Sequence, residues 1–420
     1  MRIAVANWTD RRAGGVETYL STILPELARA GNDIGFYCEV DDPKERPRIE
    51  LPSDSTVWCV AEMGVQVPVT ALREWQPDVI YCHKLIDPNH ERAIIEIAPS
   101  VYFAHDYDGM CISGTKTFKF PTIQPCTRRF GWQCLMHYFP NRCGGSSPVT
   151  MLELYDHHRR RLENMRAYDA IVTQSDHMLE ELRKHGLSAQ RAYDLSNYPE
   201  ESAAGEMDIS VSQNGTGNEK NEVSLLFAGR MEYLKGVHLL IEALPAVQRL
   251  LQMHLRVILV GEGRERRSLE SHAEKIQSRR IQIEFPGWLE RNALANLFER
   301  SDILVLPSIW PEPFGLIGPE AGMFGLPVAA FDVGGIRDWL FHGINGFLAP
   351  GNPPTSQGLA TAIVNCLQDR ETYVSLRHQA IESAKRFSVQ NHLRVLLKIF
   401  SDVAERKAPT TATVAVGGQA

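Results

Sequence analysis

The sequence predicts an α/β protein of two domains, and three observations carry the prediction. Short apolar runs alternate with amphipathic helical patterns over residues 1–200. The alternation stops at 201–222, where acids mix with Ser, Gly, Asn and Gln as in a linker or exposed loop. It then starts again over 223–384. A chain of 420 residues, 44% hydrophobic and 23% charged, is globular and long enough for two substantial cores. Its net charge of -7 speaks against a nucleic-acid partner. No run approaches the ~20 apolar residues of a membrane-spanning helix. The first apolar run breaks too soon for a secretion signal, and eight cysteines are too few for a disulfide scaffold, so a cytoplasmic protein is expected.

Residues 3–6 form the opening strand. Gly14 and Gly15 separate it from a helix with Tyr19, Leu20, Ile23, Leu24, Leu27 and Ala28 on one face and Gly31 placed to end it. Strands are expected at 34–40, 57–60, 79–82 and 100–104, with helices at 68–75 and 91–98. From 106 to 148 the period fails; this insertion is rich in Gly, Pro, Cys and aromatic residues, and a loop that long is functional or braced. A charged helix at 149–168, a strand at 170–173 and a helix capped by Ser175 complete the first domain. The second domain has strands at 223–228, 257–260, 281–285, 303–306 and 328–330, with helices at 239–250 and 294–300 among those between. Behind Ser388, Val389, Leu393, Leu396, Leu397, Phe400 and Val403 recur at helical spacing, giving a terminal helix at 385–405 before a frayed tail at 406–420.

Ligands of open parallel sheets bind beyond the carboxyl ends of the strands, so chemistry is sought there. Gly14 and Gly15 allow close approach of an anion at a helix start, but they lack a full dinucleotide fingerprint. Gly229, Arg230 and Lys235 follow a buried strand; the guanidinium fork and the mobile ammonium both suit a diphosphate. Gly261 follows the next strand, where either a close ligand or a plain turn accounts for it. Glu312 and Glu320 flank an apolar, glycine-containing turn leading into a helix at 321–324, and carboxylates there present acceptor pairs to sugar or ribose hydroxyls. His105 ends a strand of the first domain, where it either contacts substrate or fixes the following loop.

The segments GRMEYLKG, LVGEG, SDILVLPSIWPEPFGLIGPEAGMFGLPVAAFDVGG and GINGFL together resemble the retaining, nucleotide-sugar-dependent glycosyltransferases of family four. The likeness is dense over 223–350 and extends to the first 200 residues through AGGVE and the strand-end histidine. It implies the GT-B fold, two Rossmann-like domains facing across a cleft, with the terminal helix returning to the first. It also implies that the second domain holds a nucleotide sugar and the first presents the acceptor, a glycan or lipid-linked saccharide.

On that resemblance Arg230 and Lys235 clamp the donor diphosphate, Glu312 lies beside the transferred sugar and Glu320 accepts from ribose hydroxyls. Phe314, Gly315 and Leu316 line the donor with backbone N–H groups. Gly15 approaches phosphate or acceptor from the opposite wall, His105 contacts the donor sugar, and Trp288 and Leu289 lie near the base. The implied chemistry requires no cofactor: the diphosphate leaves on fixed positive donors, and its oxygen takes the acceptor proton as an α-linked product forms. UDP-, GDP- and ADP-sugars all remain candidate donors. A glycoside phosphorylase and a non-catalytic nucleotide-sugar-binding regulator are the rival readings.

Cys111, Cys126, Cys134 and Cys143 cluster in the insertion at spacings unlike those of compact zinc sites. Structural zinc, an iron–sulfur cluster, disulfides and unlinked thiols are all compatible with them. Arg128, Arg129, Trp132, Tyr138, Phe139 and Arg142, followed by the basic run 157–161, mix charge and aromaticity as a peripheral membrane contact does. A solvated helix face with ordinary loop packing accounts for them equally.

Overall fold

A computed structural model of the chain describes residues 1–12, 14–41, 46–187, 191–195 and 221–407. By packing, these fall into two compact units: residues 1–103, 163–172 and 393–407 in one, and the described residues of 104–162 and 173–392 in the other. The linker expected at 201–222 lies outside the described residues except for its last two, and of the expected tail only 406 and 407 are described.

Along the first half run β1 (Arg2–Thr9), β2 (Asp33–Val40), β3 (Thr56–Cys59), β4 (Val79–Cys82), β5 (Ser100–Ala104), the short pair β6 (Thr117–Phe118) and β7 (Gln124–Pro125), β8 (Ala170–Thr173) and β9 (Ala192–Asp194). All but β6 and β7 form one sheet in the order β3-β2-β1-β4-β5-β8-β9. Strand β1 is parallel to both neighbours, with Ile3 opposite Ile34 on one side and Val79 on the other. Every residue of β4 and β5 is buried, as expected of a parallel sheet covered on both faces. Helix α1 (Gly15–Arg29) buries Tyr19, Leu20, Ile23, Leu24 and Leu27, and Gly31 follows its end at φ +82°. Helices α2 (Val60–Met63), α3 (Gln66–Trp75) and α4 (Pro88–Ile95) come next; Asp87 caps α4 by accepting the Asn89 N–H.

The insertion has a small core of its own. Helix α5 (Gln133–Tyr138) and the start of α6 (Pro148–Ala167) pack Tyr138, Leu135, Met151 and Leu154 around Ile112 and Cys143. It is tied to α7 (Asp176–Lys184) by a fully buried ion pair, Lys116 Nζ to Glu181 at 2.8 Å, while Lys116 Nζ also donates to the Arg128 carbonyl at 2.6 Å. The Phe130 N–H donates to His185 Nε2 at 2.8 Å, just past α7. Ser175 caps α7 as expected, accepting the Met178 N–H.

The second sheet comprises β10 (Glu222–Ala228), β11 (His254–Val260), β12 (Ile281–Gly287), β13 (Ile303–Leu306), β14 (Val328–Phe331) and β15 (Gly346–Ala349), in the order β12-β11-β10-β13-β14-β15. Helices α8 (Val237–Leu251), α9 (Arg266–Ile276), α10 (Arg291–Arg300), α11 (Ile317–Met323), α12 (Ser356–Leu367) and α13 (Arg370–Ala384) lie between and after these strands. The second sheet thus has the Rossmann order 3-2-1-4-5-6 and the first has the same order with β9 added as a seventh strand, and the expectation of two Rossmann-like halves is met. Helix α14 (Val389–Lys407) follows Ser388, and its Phe400 ring packs edge-on against Tyr81 of β4 at 5.0 Å.

Two local expectations are corrected. The helix after the glycine turn begins at Ile317, not 321, so Glu320 lies inside its first turn. Pro319 is tolerated there because the first N–H groups of a helix have no intrahelical acceptor. Strand β15 is absent from the expected strands because four residues beginning at a glycine are too few to show a period.

Candidate functional site

In the second sheet the order reverses between β10 and β13, which pair Leu225 with Ile303 and Leu226 with Leu304. Such a switch point is where open sheets bind ligands, beside the segments leaving these two strands. The segments are 229–236 and 307–315, and they are fastened together by the Ile309 N–H donating to the Leu234 carbonyl at 2.9 Å. Gly236 makes this approach possible: it has φ +70°, and a Cβ there would lie 1.8 Å from the Pro307 carbonyl oxygen.

That approach brings Lys235 and Glu312 together. Oε1 of the buried Glu312 accepts from Lys235 Nζ and from Ser308 Oγ, each at 2.6 Å. The ammonium also lies 5.5 Å from the centre of the Trp310 ring. Burial alone would raise the Glu312 carboxyl, but the Lys235 charge and the hydrogen bonds outweigh it and hold the group below its ordinary value. Arg230 is exposed, one residue past Gly229.

The turn that carries Glu312 is fixed by its backbone carbonyls. Tyr107 Oη donates to the Pro311 carbonyl at 2.8 Å, and the Gly335 N–H donates to Glu312 O at 2.7 Å. Ser175 Oγ donates to Pro313 O, and Trp339 Nε1 to Phe314 O at 2.6 Å. Four successive carbonyls are therefore held by four donors from three segments of the chain. Since Tyr107 spends its proton on Pro311, His177 Nε2, 2.8 Å from the same hydroxyl, must donate to it. Burial lowers the His177 pKa, which keeps the ring neutral for that role. Pinning the carbonyls fixes the direction of the N–H groups at Glu312, Phe314 and Gly315, which is the preorganisation an anion site requires.

The remaining predicted residues sit as follows. Glu320 is half-buried; burial pushes its carboxyl up to about 7, with Arg291 at the start of α10 pulling it partly back. Trp288, 70% exposed, and Leu289 lie two or three residues before Arg291. The Phe314 ring is core, packed edge-on against Phe387 at 5.5 Å, so only its backbone is available to a ligand. Leu316 is the half-buried N-cap of α11 and Gly315 precedes it at φ +84°. Gly261 has a packing reason, because a Cβ there would lie 1.9 Å from the Gly229 carbonyl oxygen. His105 follows β5, two residues before Tyr107, and its carbonyl accepts from Gln174 Nε2 at 2.9 Å. In the first unit, Gly14 caps α1 with ordinary extended backbone, and a Cβ on Gly15 would meet nothing within 4 Å.

Sequence reasoning misses Tyr107, Trp339, Ser308 and Arg291, and it reads Ser175 only as a cap. The bonds that give the first two their roles join residues far apart in the chain, 204 positions for Tyr107 and Pro311, and no local pattern signals such a pair. Ser308, four residues before Glu312, is the one that spacing could have suggested.

Around the insertion, His157 Nε2 and His158 Nδ1 lie 3.6 and 3.0 Å from Asp108 Oδ1, and one ligand atom from each of the three residues lies within 4.8 Å of the others, a set able to receive a cation. His158 Nδ1 also accepts the Gly109 N–H at 3.1 Å, and the buried Arg161 lies 3.1 Å from Asp108 Oδ2, so the arrangement works as an ionic brace of loop 105–111 onto α6. This corrects the solvated-face reading of 157–161: His158 and Arg161 face inward, while Arg159 and Arg160 each bond Asp156 at 2.7 Å. Of the alternatives open for Cys111, Cys126, Cys134 and Cys143, the structure joins none of them in a disulfide. They are nonetheless neighbours: burial first, and then the other three thiols, push Cys143 up to about 12. The Lys116 N–H donates to Cys111 Sγ at 3.4 Å.

Two family models cover most of the chain. Residues 13–197 match Glycosyltransferase Family 4 and residues 208–387 match Glycosyl transferases group 1. Among curated proteins, an uncharacterized glycosyltransferase, MJ1607, of Methanocaldococcus jannaschii is 34% identical over 139 residues, 33% of this chain and 34% of its own length. A D-inositol 3-phosphate glycosyltransferase of Corynebacterium urealyticum is 32% identical over 181 residues, 41% of this chain and 42% of its own length. The matched stretches thus span between a third and a half of these relatives. Among solved structures, Anabaena HepE in complex with UDP and glucose aligns with TM-score 0.63 at 19% identity, covering 96% of this chain and all of that one. Sucrose-phosphate synthase of Thermosynechococcus elongatus aligns with TM-score 0.67 at 18% identity, covering 97% and 100%. With two Rossmann-like sheets and a family model on each half, the chain belongs to the glycosyltransferases of the GT-B fold, family 4 in its first half and group 1 in its second.

Proposed function

We propose that the protein is a retaining glycosyltransferase that moves a hexosyl group from a nucleoside-diphosphate sugar to a hydroxyl of a saccharide or lipid-linked saccharide, on the cytoplasmic side of a membrane, forming an α-glycosidic bond. The observation that carries this reading is the pinned turn 311–315 beside Lys235 at the switch point of the second sheet, with Arg230 exposed on the same segment as Lys235. Breaking the bond from sugar to diphosphate leaves positive character on the anomeric carbon and negative charge on the departing oxygen. Arg230, Lys235 and the fixed N–H groups receive that negative charge, and fixed donors stabilise most where charge develops. The acceptor oxygen attacks from the leaving-group face, and its proton passes to the departing diphosphate oxygen. Glu312 orients the sugar and supports the positive charge. It is a poor proton acceptor, because Lys235 and Ser308 already hold it ionised at Oε1. Glu320 accepts from the ribose hydroxyls, and His105 contacts the donor sugar.

The test is a panel of UDP-, GDP- and ADP-sugars read by thermal shift and by release of nucleoside diphosphate. One family of donors should stabilise the protein and be consumed, slowly with water and faster with an acceptor saccharide. Consumption that requires inorganic phosphate and no nucleotide would assign a phosphorylase instead. Stabilisation by a nucleotide sugar without any turnover would assign a binding regulator.

A further inference from the structure

Between Asp108 and Glu153 the chain has no acidic residue at all, although the whole carries a formal charge of -7. Lys116, Lys119, Arg128, Arg129 and Arg142 lie in that interval. Lys116 is buried on Glu181, but the other four are exposed, and none of the ion pairs among the described residues involves them. The same interval concentrates exposed apolar side chains. Cys134, Leu135 and Tyr138 of α5 face the small inner core. The other side of that helix carries Trp132, Met136 and Phe139, which are 63%, 56% and 43% exposed and spaced i, i+4 and i+7 as a single stripe. The stripe continues into charge: the Arg142 N–H donates to the Phe139 carbonyl, its guanidinium lies 4.8 Å from the centre of the exposed Phe120 ring, and the Lys119 N–H donates to Asn141 O at 2.9 Å. Val149 and Leu152 are exposed in the first two turns of α6.

A helix apolar on both sides needs something to cover its outer face. We infer that the surface formed by Phe120, Trp132, Met136 and Phe139 with Lys119, Arg128, Arg129 and Arg142 docks onto an anionic lipid bilayer. Charge chooses this occupant. A second copy of the chain meeting the patch through a two-fold axis would set the same acid-free cations against one another, whereas anionic headgroups complement them while the aromatic rings enter the interfacial layer. The contact is peripheral, since no helix among the described residues is long and apolar enough to cross a membrane. The inference goes beyond the transfer reading and does not depend on it, because docking needs no nucleotide sugar.

The experiment is flotation of the full chain with vesicles of phosphatidylcholine alone and of an equal mixture of phosphatidylglycerol and phosphatidylcholine. Binding is expected to the anionic vesicles only, and to weaken as salt is raised. It should fall at least about tenfold in the triple variant Arg128→Gln, Arg129→Gln, Arg142→Gln and, separately, in Trp132→Ser with Met136→Ser. All of these side chains are exposed, and circular dichroism checks that the fold is kept. Equal binding to neutral vesicles, binding to neither kind, or full binding by both variants would overturn the inference. A concentration-dependent dimer lost in Trp132→Ser, with no vesicle binding, would overturn it in favour of an interface between copies.

Discussion

The turn at 311–315 and the insertion at 106–148 are both largely irregular backbone, and they solve opposite problems. In the turn, four consecutive carbonyls are anchored from Tyr107, Gly335, Ser175 and Trp339, the Glu312 side chain is buried on Lys235, and the Phe314 ring is core. In the insertion, a few side chains hold a small core around Tyr138, while Phe120, Trp132 and Phe139 and all the cations but Lys116 face outward. Immobile backbone dipoles cost no reorganisation when charge develops, which suits a reacting diphosphate. An exposed stripe of adaptable side chains suits a broad, chemically uniform surface. The difference teaches that irregular structure is read by where its polar backbone groups go, not by its lack of period.

Changes in the turn should act on chemistry and leave vesicle binding alone, and the largest effect belongs to Glu312. Glu312→Gln keeps the shape but removes the charge that the proposed function sets beside the transferred sugar, so kcat should fall about 10²- to 10³-fold with anionic-vesicle flotation unchanged. A variant with normal turnover would remove Glu312 from the site. Next comes Trp339→Phe, which leaves the Phe314 carbonyl without its indole donor. A loss of about 1–3 kcal/mol in denaturant unfolding is expected. Turnover of the folded enzyme should drop about tenfold, because the turn's N–H groups lose their fixed direction. Unchanged stability and rate together would show that the pins do not hold the turn.

Glu320 sharpens the same contrast through pH. Its carboxyl is pushed up to about 7 by burial, against an ordinary value of 4.5. Between those values the unfolded chain has released a proton that the folded chain keeps, so stability falls as pH rises through the window. Glu320→Gln should flatten that slope and raise stability above about pH 7. If ribose hydroxyls donate to the ionised carboxylate, donor affinity of the parent should rise with pH across the same value, and the variant should lack that rise. A variant with the parent's pH profile would contradict both statements. The smallest effect is expected at Gly15, where a Cβ meets nothing. Gly15→Ala should leave stability within about 0.5 kcal/mol. A raised KM for donor or acceptor would then report a ligand passing close by, and an unchanged KM would withdraw Gly15 from the site.

The legible part of the fold is what local pattern can carry. Strands β4, β5, β8 and β13 match their expected bounds residue for residue, because each is a short buried run bounded by polar or turn residues. The Ser175 cap is legible for the same reason. At the site, the glycines and charges after β10 and β13 announce the switch point, but what holds them does not appear in any window of sequence. The donors to 311–314 come from the loop after β5, the start of α7 and the segment after β14, and only the folded chain brings them to one turn. The run 157–161 misleads because charge suggests solvent. The helix turns His158 and Arg161 inward to Asp108 and leaves Arg159 and Arg160 outside, a division that 3.6-residue periodicity allows but composition hides.

The central claim, that this turn and its cations receive a nucleoside diphosphate, is tested most directly at Arg230. The residue is exposed, so its removal leaves the fold intact and the reading is not clouded by stability. Calorimetric titration of the nucleoside diphosphate identified by the donor panel into Arg230→Ala and into the parent protein should give binding weakened at least about tenfold in the variant. Equal affinity in the two proteins would contradict the account.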